Sequence, residues 1–292
     1  MSDTSRREFL QTGAAAALGV GALSVASCGT ETSNNAYAGF RMCLGSVCLS
    51  HFPGPQAAAV TKELGFDVID VWCRHSQVVG VGERNRDDKV YLHQRPEYWS
   101  SMKQAIQEQG LETYGYGVAQ LTNDFDENRR IFEWAKANGI QAFWASPHDD
   151  AMDNMDDLIE EFDIAVGVHN HGPNDKRWGE LDKLLKAMEQ HHPKFGSYMD
   201  MGHYWKMGVN PIDAIEAIGD RLYGIHFHDK NAEGEGAMMG EGAFDIPGIL
   251  RALKRIGYSR PVTIEVEGVE GDPTAHLAQQ MANLRRICAE LG

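Results

Sequence analysis

Cysteine is scarce in this chain, and positive charge is outweighed by negative. Five cysteines in 292 residues form no CxxC pair, so the pattern implies neither a disulfide framework nor a thiolate metal cluster. The 27 Lys and Arg face 42 Asp and Glu, for a formal net charge of −15. That charge repels a phosphate backbone and argues against a nucleic-acid partner. The glycine-rich stretch 234–242 has no GKS or GKT, and Glu233, Glu235 and Glu241 would repel a phosphate there. It reads as a candidate mobile loop, not as a phosphate cradle. No long linker or shift of composition interrupts residues 40–292, so one domain is the economical reading.

A membrane-spanning run is missing too. The apolar stretch from Gly13 to Ala26 is short and rich in Gly and Ala, a poor match to the ~20 apolar residues that cross a bilayer. It follows Ser5-Arg6-Arg7-Glu8-Phe9-Leu10 and ends in Val25-Ala26-Ser27-Cys28. This order resembles a twin-arginine (Tat) export signal closed by a lipobox, in which Cys28 becomes the lipidated first residue. The resemblance implies a signal peptide over 1–27, a lipidated cysteine and flexible tether over 28–39, and a folded domain over 40–292. The expected location is periplasmic or otherwise extracytoplasmic, with membrane contact only through Cys28. Asp3 and Glu8 cancel Arg6 and Arg7, so the remaining 265 residues keep the whole net charge. Such a length is close to the ~250 residues of one (β/α)₈ barrel and buries a core without disulfides.

Short apolar runs alternate with longer helical patterns along that domain. Strands are expected at 41–47, 67–72, 113–118, 140–145, 165–170, 196–200, 222–228 and 261–267. Helices are expected at 55–64, 97–109, 124–137, 177–190, 211–218, 246–256 and 274–290, with a less periodic acidic segment at 151–163. Asn210-Pro211, Asp245-Ile246-Pro247 and Gly257 punctuate the helix boundaries. Eight strands separated by helices predict an α/β fold, a single (β/α)₈ TIM barrel.

Catalytic groups of such barrels sit where strands end, and the polar residues gather there. The fifth strand runs into His169-Asn170-His171-Gly172 and the sixth into Asp200-Met201-Gly202-His203. The seventh contains His226-Phe227-His228-Asp229-Lys230, and the eighth Glu265-Val266-Glu267. Alternation places His169 with His171, His226 with His228, and Glu265 with Glu267. Imidazoles and carboxylates at four neighbouring strand ends suit one divalent ion. Trp72, Tyr116 and Trp144, near other strand ends, offer flat apolar faces for a sugar. Arg74 and His75 are placed to reach its oxygens, and Lys230 is an oxyanion candidate.

The motifs HNHG, MDMGHY, GIHFHDKN and PVTIEVEG, with GEGAFDIPGIL at 240–250, resemble the xylose isomerase-like TIM-barrel family of sugar isomerases, epimerases and dehydratases. The similarity covers about residues 41–290. It implies His169, Asp200, His226 and Glu265 as metal ligands, for Mn²⁺, Zn²⁺ or Co²⁺, with Mg²⁺ also compatible. His203 and His228 then orient substrate, beside Trp72, Arg74, Tyr116 and Trp144. Many members carry glutamate where this chain has His169, so a symmetric two-glutamate epimerisation is not expected. Glu265 is the expected ligand and base, with His169, His171 or Glu267 as the second proton-transfer group. The implied activity is isomerisation or epimerisation of an unphosphorylated sugar or keto-sugar through a metal-stabilised enediolate. Two alternatives stand beside it: a keto-sugar lyase or dehydratase, and a non-catalytic sugar-binding lipoprotein. The endonucleases of the same superfamily need a basic surface, against which the −15 charge speaks.

Overall fold

A computed structural model describes residues 36–75, 90–266 and 268–291. The expectations about the export signal, about Cys28 and about Glu267 fall outside the described residues. Seven strands come first: β1 Met42–Gly45, β2 Val68–Trp72, β3 Glu112–Ala119, β4 Ala142–Ala145, β5 Ala165–Val168, β6 Phe195–Asp200 and β7 Leu222–Phe227. A small antiparallel hairpin follows, β8 Asp229–Lys230 with β9 Gly236–Ala237, and then β10 Val262–Ile264. The seven strands and β10 pair side by side in parallel, and Met42 opposite Val262 closes the ring. This is the (β/α)₈ barrel read from the sequence, each strand nearly continuous in apolar residues because both its faces are covered.

The helices are α1 Gly54–Glu63, α2 Pro96–Glu108, α3 Phe125–Ala137, α4 Met152–Phe162, α5 Leu181–Gln190, α6 Met201–Lys206, α7 Pro211–Ile218, α8 Ile246–Arg255 and α9 Thr274–Glu290. Local chemistry starts several of them. Asp124 accepts from Glu127 N to begin α3, and Asn210 accepts from Ile212 N ahead of Pro211 in α7. Asp245 accepts from Gly248 N to begin α8, and Gly257, at φ +69°, follows that helix's end. The acidic 151–163 segment is helical after all, because Met152, Met155, Leu158 and Ile159 give it a buried stripe. The helix expected from 177 begins only at Leu181. Asp175 takes the N–H groups of Arg177 and Trp178 into a turn first. Packing also starts earlier than residue 40: Tyr37 is buried, and its hydroxyl accepts from Arg285 of α9.

Two cores result. The larger lies between the strands and their helices. The smaller draws Cys43, Val68, Tyr114, Ala142, Trp144, Ala165, Tyr198 and Tyr223 from β1 to β7, and so fills the barrel itself. Tyr198 dominates it. A Cβ at Gly224 would fall inside its ring, and Cβ atoms at Gly167 and Gly115 would stand 2.8 and 3.1 Å from its atoms. Gly224 clears the space for the ring, Gly167 lets the backbone of β6 come close, and Gly115 leaves room for Asp70 and the Tyr198 hydroxyl. Within the same lumen Asp70 accepts from Gly115 N at 2.7 Å, from Thr263 Oγ1 at 2.5 Å and from the Tyr198 hydroxyl. Among the described residues, hydrogen bonds are what meet the buried oxygens of this carboxylate.

Candidate functional site

The C-terminal ends of four adjacent strands bring the expected ligands together. Asp200 is the last residue of β6 and His226 the fifth of β7, while His169 and Glu265 directly follow β5 and β10. One ligand atom each from Asp200, His226 and Glu265 lie within 4.8 Å of one another, and so do those of His169, Asp200 and His203. Asp200 is common to both groups. The rings of His169 and His226 stand 4.8 Å apart. All four expected ligands are buried.

Their polar atoms are unsatisfied in the manner of a cation site. Nδ1 of His169 and Nδ1 of His226 are buried without a hydrogen-bond partner. Nδ1 of His226 lies 2.7 Å from Glu265 Oε2, yet outside hydrogen-bonding geometry. Buried polar atoms are ordinarily paired, so two such nitrogens facing two carboxylates fit a divalent ion. Burial pulls the His226 imidazole down, but Glu265 and Asp200 outweigh it and hold it up at about 9. Burial likewise lifts Glu265, and His226 overcomes this to bring the carboxyl down to about 2. Asp200 is lowered against its own burial, chiefly by His228 and His203. His169 goes the other way: burial, then the nearby His226 and His171, push it well below the usual imidazole range. It is a neutral ring.

Asp200 is held from several sides. Its Oδ1 accepts from His203 N at 2.7 Å, which caps the six-residue helix α6. Asn170 brackets its backbone with two hydrogen bonds. The helix-capping role and the ligand position therefore coincide in one residue. Asn170 was not singled out in the sequence, although it sits between the two histidines of HNHG. His203, expected to orient substrate, is instead within ligand reach of Asp200. His171 is half-buried, ring to ring with His169 at 4.8 Å. His228 Nε2 accepts from Gly202 N at 2.9 Å, which leaves the proton of the neutral ring on Nδ1.

Trp144 reaches the site, with its ring edge-on to His169 and His226 at 5.6 and 4.8 Å. Trp72 is half-buried at the end of β2, packed against both cores. Other expectations are corrected. Tyr116 points outward from β3, onto Trp134 of α3, and its hydroxyl meets His93 Nδ1 at 2.9 Å. An extra residue in β3, where its register with β2 shifts between Thr113 and Tyr116, breaks the alternation: Tyr114 keeps the inward position and Tyr116 is no part of the mouth. His75 is fully buried on the Phe52 carbonyl at 2.9 Å. The Arg74 guanidinium lies over the Tyr91 ring. The glycine-rich 234–242 stretch contains β9 and is tied down by Asp229, which accepts from Gly240 N and Gly242 N at 2.9 and 3.0 Å.

Two cavities flank the ligands. One of about 320 Å³ lies between the ends of β7 and β10, the hairpin and α9, and includes His228, Lys230 and Glu265. The other, of about 570 Å³, lies beyond β5 and β6 and includes His171, Arg177, His203 and Lys206.

A family model described as xylose isomerase-like TIM barrel matches residues 58–287. The chain belongs to that family. It is 28% identical over 146 residues to an uncharacterised protein of Methanocaldococcus jannaschii, MJ1311, covering 44% of this chain and 48% of that one. To the rhizopine catabolism protein MocC of Rhizobium meliloti it is 23% identical over 162 residues, covering 48% and 49%. The chain thus spans about half the length of the curated relatives it matches. Among solved structures, a D-psicose 3-epimerase crystallised with D-fructose superposes with a TM-score of 0.63 at 13% identity, covering 86% of this chain and 97% of that one. The probable 3-DHS dehydratase AsbF of Bacillus anthracis superposes with a TM-score of 0.58 at 16% identity, covering 84% and 97%. At such identities the likeness is one of fold.

Proposed function

We propose that this protein is a divalent-metal-dependent isomerase or epimerase of an unphosphorylated sugar or keto-sugar. One observation carries the reading: His169, Asp200, His226 and Glu265 converge at one barrel mouth, with Nδ1 of His169 buried without a partner and Nδ1 of His226 buried 2.7 Å from Glu265 Oε2. A bound divalent ion would supply charge stabilisation to the oxyanion that develops when a proton leaves the carbon beside a carbonyl. Mn²⁺, Zn²⁺ or Co²⁺ suits the mixed imidazole–carboxylate set. Glu265 is the proton acceptor in this reading, since its low pKa keeps it ionised across the working range. Asp200 stays anionic and fixed through its cap on α6 and its clasp by Asn170. Neutral His169 and half-buried His171 stand on the opposite side of Asp200 from Glu265 and are the groups that relay a proton from solvent water to the carbon. The Trp144 ring, packed against both ligand imidazoles, keeps water from the floor of the site. Export by the N-terminal signal supports an unphosphorylated substrate, because sugar phosphates are chiefly cytosolic.

Elimination is the second reading, and His169 favours it. An imidazole in place of glutamate is a competent acid toward a departing oxygen near neutral pH once it holds a proton. Both readings begin with removal of the same proton. Metal-loaded protein is offered free sugars, 3-keto-sugars and inososes in deuterated water, and the products are weighed by mass spectrometry. An isomerase or epimerase gives a product of unchanged mass apart from label, whereas loss of water or of an aglycone establishes elimination. Glu265→Gln stops label exchange in either case, and full exchange in that variant overturns the shared mechanism.

A further inference from the structure

We infer that the substrate carries a carboxylate and that Lys230 receives it in the 320 Å³ cavity beside Glu265. This deepens the proposed function and rests on it for the reacting end of the molecule. Lys230 is only 8% exposed, and its ammonium group has no hydrogen-bond or ion-pair partner among the described residues. Apart from Nδ1 of His228, the other polar side chains of the cavity are engaged. Asp229 takes the N–H groups of Lys230, Gly240, Gly242 and Phe244. Glu235 accepts from the Asn231 side chain, and Glu265 faces His226. Gln280 is spent on Met239 N, on the Ala237 carbonyl and on His276. Among the charged groups Lys230 alone is left to a ligand.

The lysine is also built into place. Its N–H donates to Asp229 Oδ1, its carbonyl accepts from Ala243 N at 2.7 Å, and it pairs with Gly236 across the hairpin. Its stem runs past Gly202, where a Cβ would stand 2.7 Å from Lys230 Cε and 2.6 Å from His228 Nε2. Only glycine leaves that passage open. An unpaired ammonium becomes costly once a ligand displaces the cavity's water from it. A hydroxyl returns a hydrogen bond, whereas a carboxylate returns the bond and the countercharge. One ammonium balances one negative charge. A phosphate brings nearly two, into a cavity that already contains Glu235 and Glu265. Because Glu265 lines the same cavity, carboxylate and carbonyl belong to one small molecule, a sugar acid.

Calorimetry on the full folded chain tests this with glucuronate, galacturonate, the parent hexoses and glucose 6-phosphate as probes. The wild type is expected to bind a uronate at least about tenfold tighter than its parent hexose, the scale of one charge-assisted contact. Lys230→Met should erase that preference with no fall in melting temperature, since the ammonium has no partner to lose among the described residues. Lys230→Arg should restore part of it, and Gly202→Ala should weaken it with the charge still present. Arg177→Gln, across the site, should leave it intact. Equal affinity for uronate and hexose, no uronate binding at all, or tighter phosphate-ester binding overturns the inference. So does a preference that survives Lys230→Met or disappears only in Arg177→Gln. Metal content is measured on the same samples. Metal-free wild type with a Lys230-dependent uronate preference would sink the proposed function and leave this inference standing.

Discussion

Asn170 and Asp200 are joined by a reciprocal pair of hydrogen bonds: the Asn170 side-chain oxygen accepts from Asp200 N at 2.9 Å, and its amide donates to the Asp200 carbonyl at 3.0 Å. The clasp fixes the backbone from which the central carboxylate projects. Residues that hold a ligand in place typically govern metal affinity by about 10–100-fold. Asn170→Ala should lower metal affinity on that scale. It should also cost about 1–3 kcal/mol of stability, because Asp200 N is left buried and unpaired. Titration with Mn²⁺ or Zn²⁺ beside a thermal melt checks both, and unchanged affinity would show that Asp200 is held without Asn170.

The ligand assignment itself is read by metal analysis. Protein purified without chelator should contain about one divalent ion per chain. Asp200→Ala and His226→Ala should each abolish binding, since each removes a group facing the shared centre. A full equivalent of metal in both variants would sink the assignment.

His75 predicts an acid-sensitive step unrelated to the mouth. Burial pulls its imidazole down to about 4 from 6.5, against the hydrogen bond to Phe52 that raises it. The unfolded chain therefore binds a proton between those values and the folded one does not. The stability linked to this ring is present in full above pH 6.5 and is lost as pH falls toward 4, by about 3 kcal/mol. His75→Gln should flatten that part of the acid limb in melts recorded from pH 7 to 4. An identical slope in wild type and variant would refute the linkage.

Export has a separate test in cells. Replacing Arg6 and Arg7 by Lys should trap the precursor inside if the twin-arginine route is used. Cys28→Ala should release the folded domain from membranes. Unchanged fractionation of the cysteine variant would remove the lipid anchor and leave export in place.

The strand order and the meeting of His169, Asp200, His226 and Glu265 were legible because polar residues at the ends of apolar runs stand out, and parallel strands aim those ends at one mouth. The orientation of β3 was not legible. Period-2 alternation puts Tyr114 and Tyr116 on one face, and the shift of register against β2 between Thr113 and Tyr116, which leaves no mark in the sequence, turns Tyr116 outward onto Trp134. Helix α6 was missed because six residues carry less than two turns of periodicity. Its one sequence signal was Asp200, an acid after a strand, which caps that helix. Asn170 has no periodic signature, since its role lies in bonds to residues thirty positions away. The hairpin β8–β9 was hidden for a similar reason. Its order comes from Asp229 collecting N–H groups up to fifteen residues ahead.

Tyr198 leaves a historical mark on the barrel. Because its ring fills the room that a side chain at Gly224 would claim, the lumen admits changes only in a certain order of descent. The tyrosine has to shrink before that glycine acquires a side chain, and once it has, the tyrosine cannot return without collision. Lineages that lost this ring are therefore free to carry bulk at that position, and lineages that kept it should hold it bare.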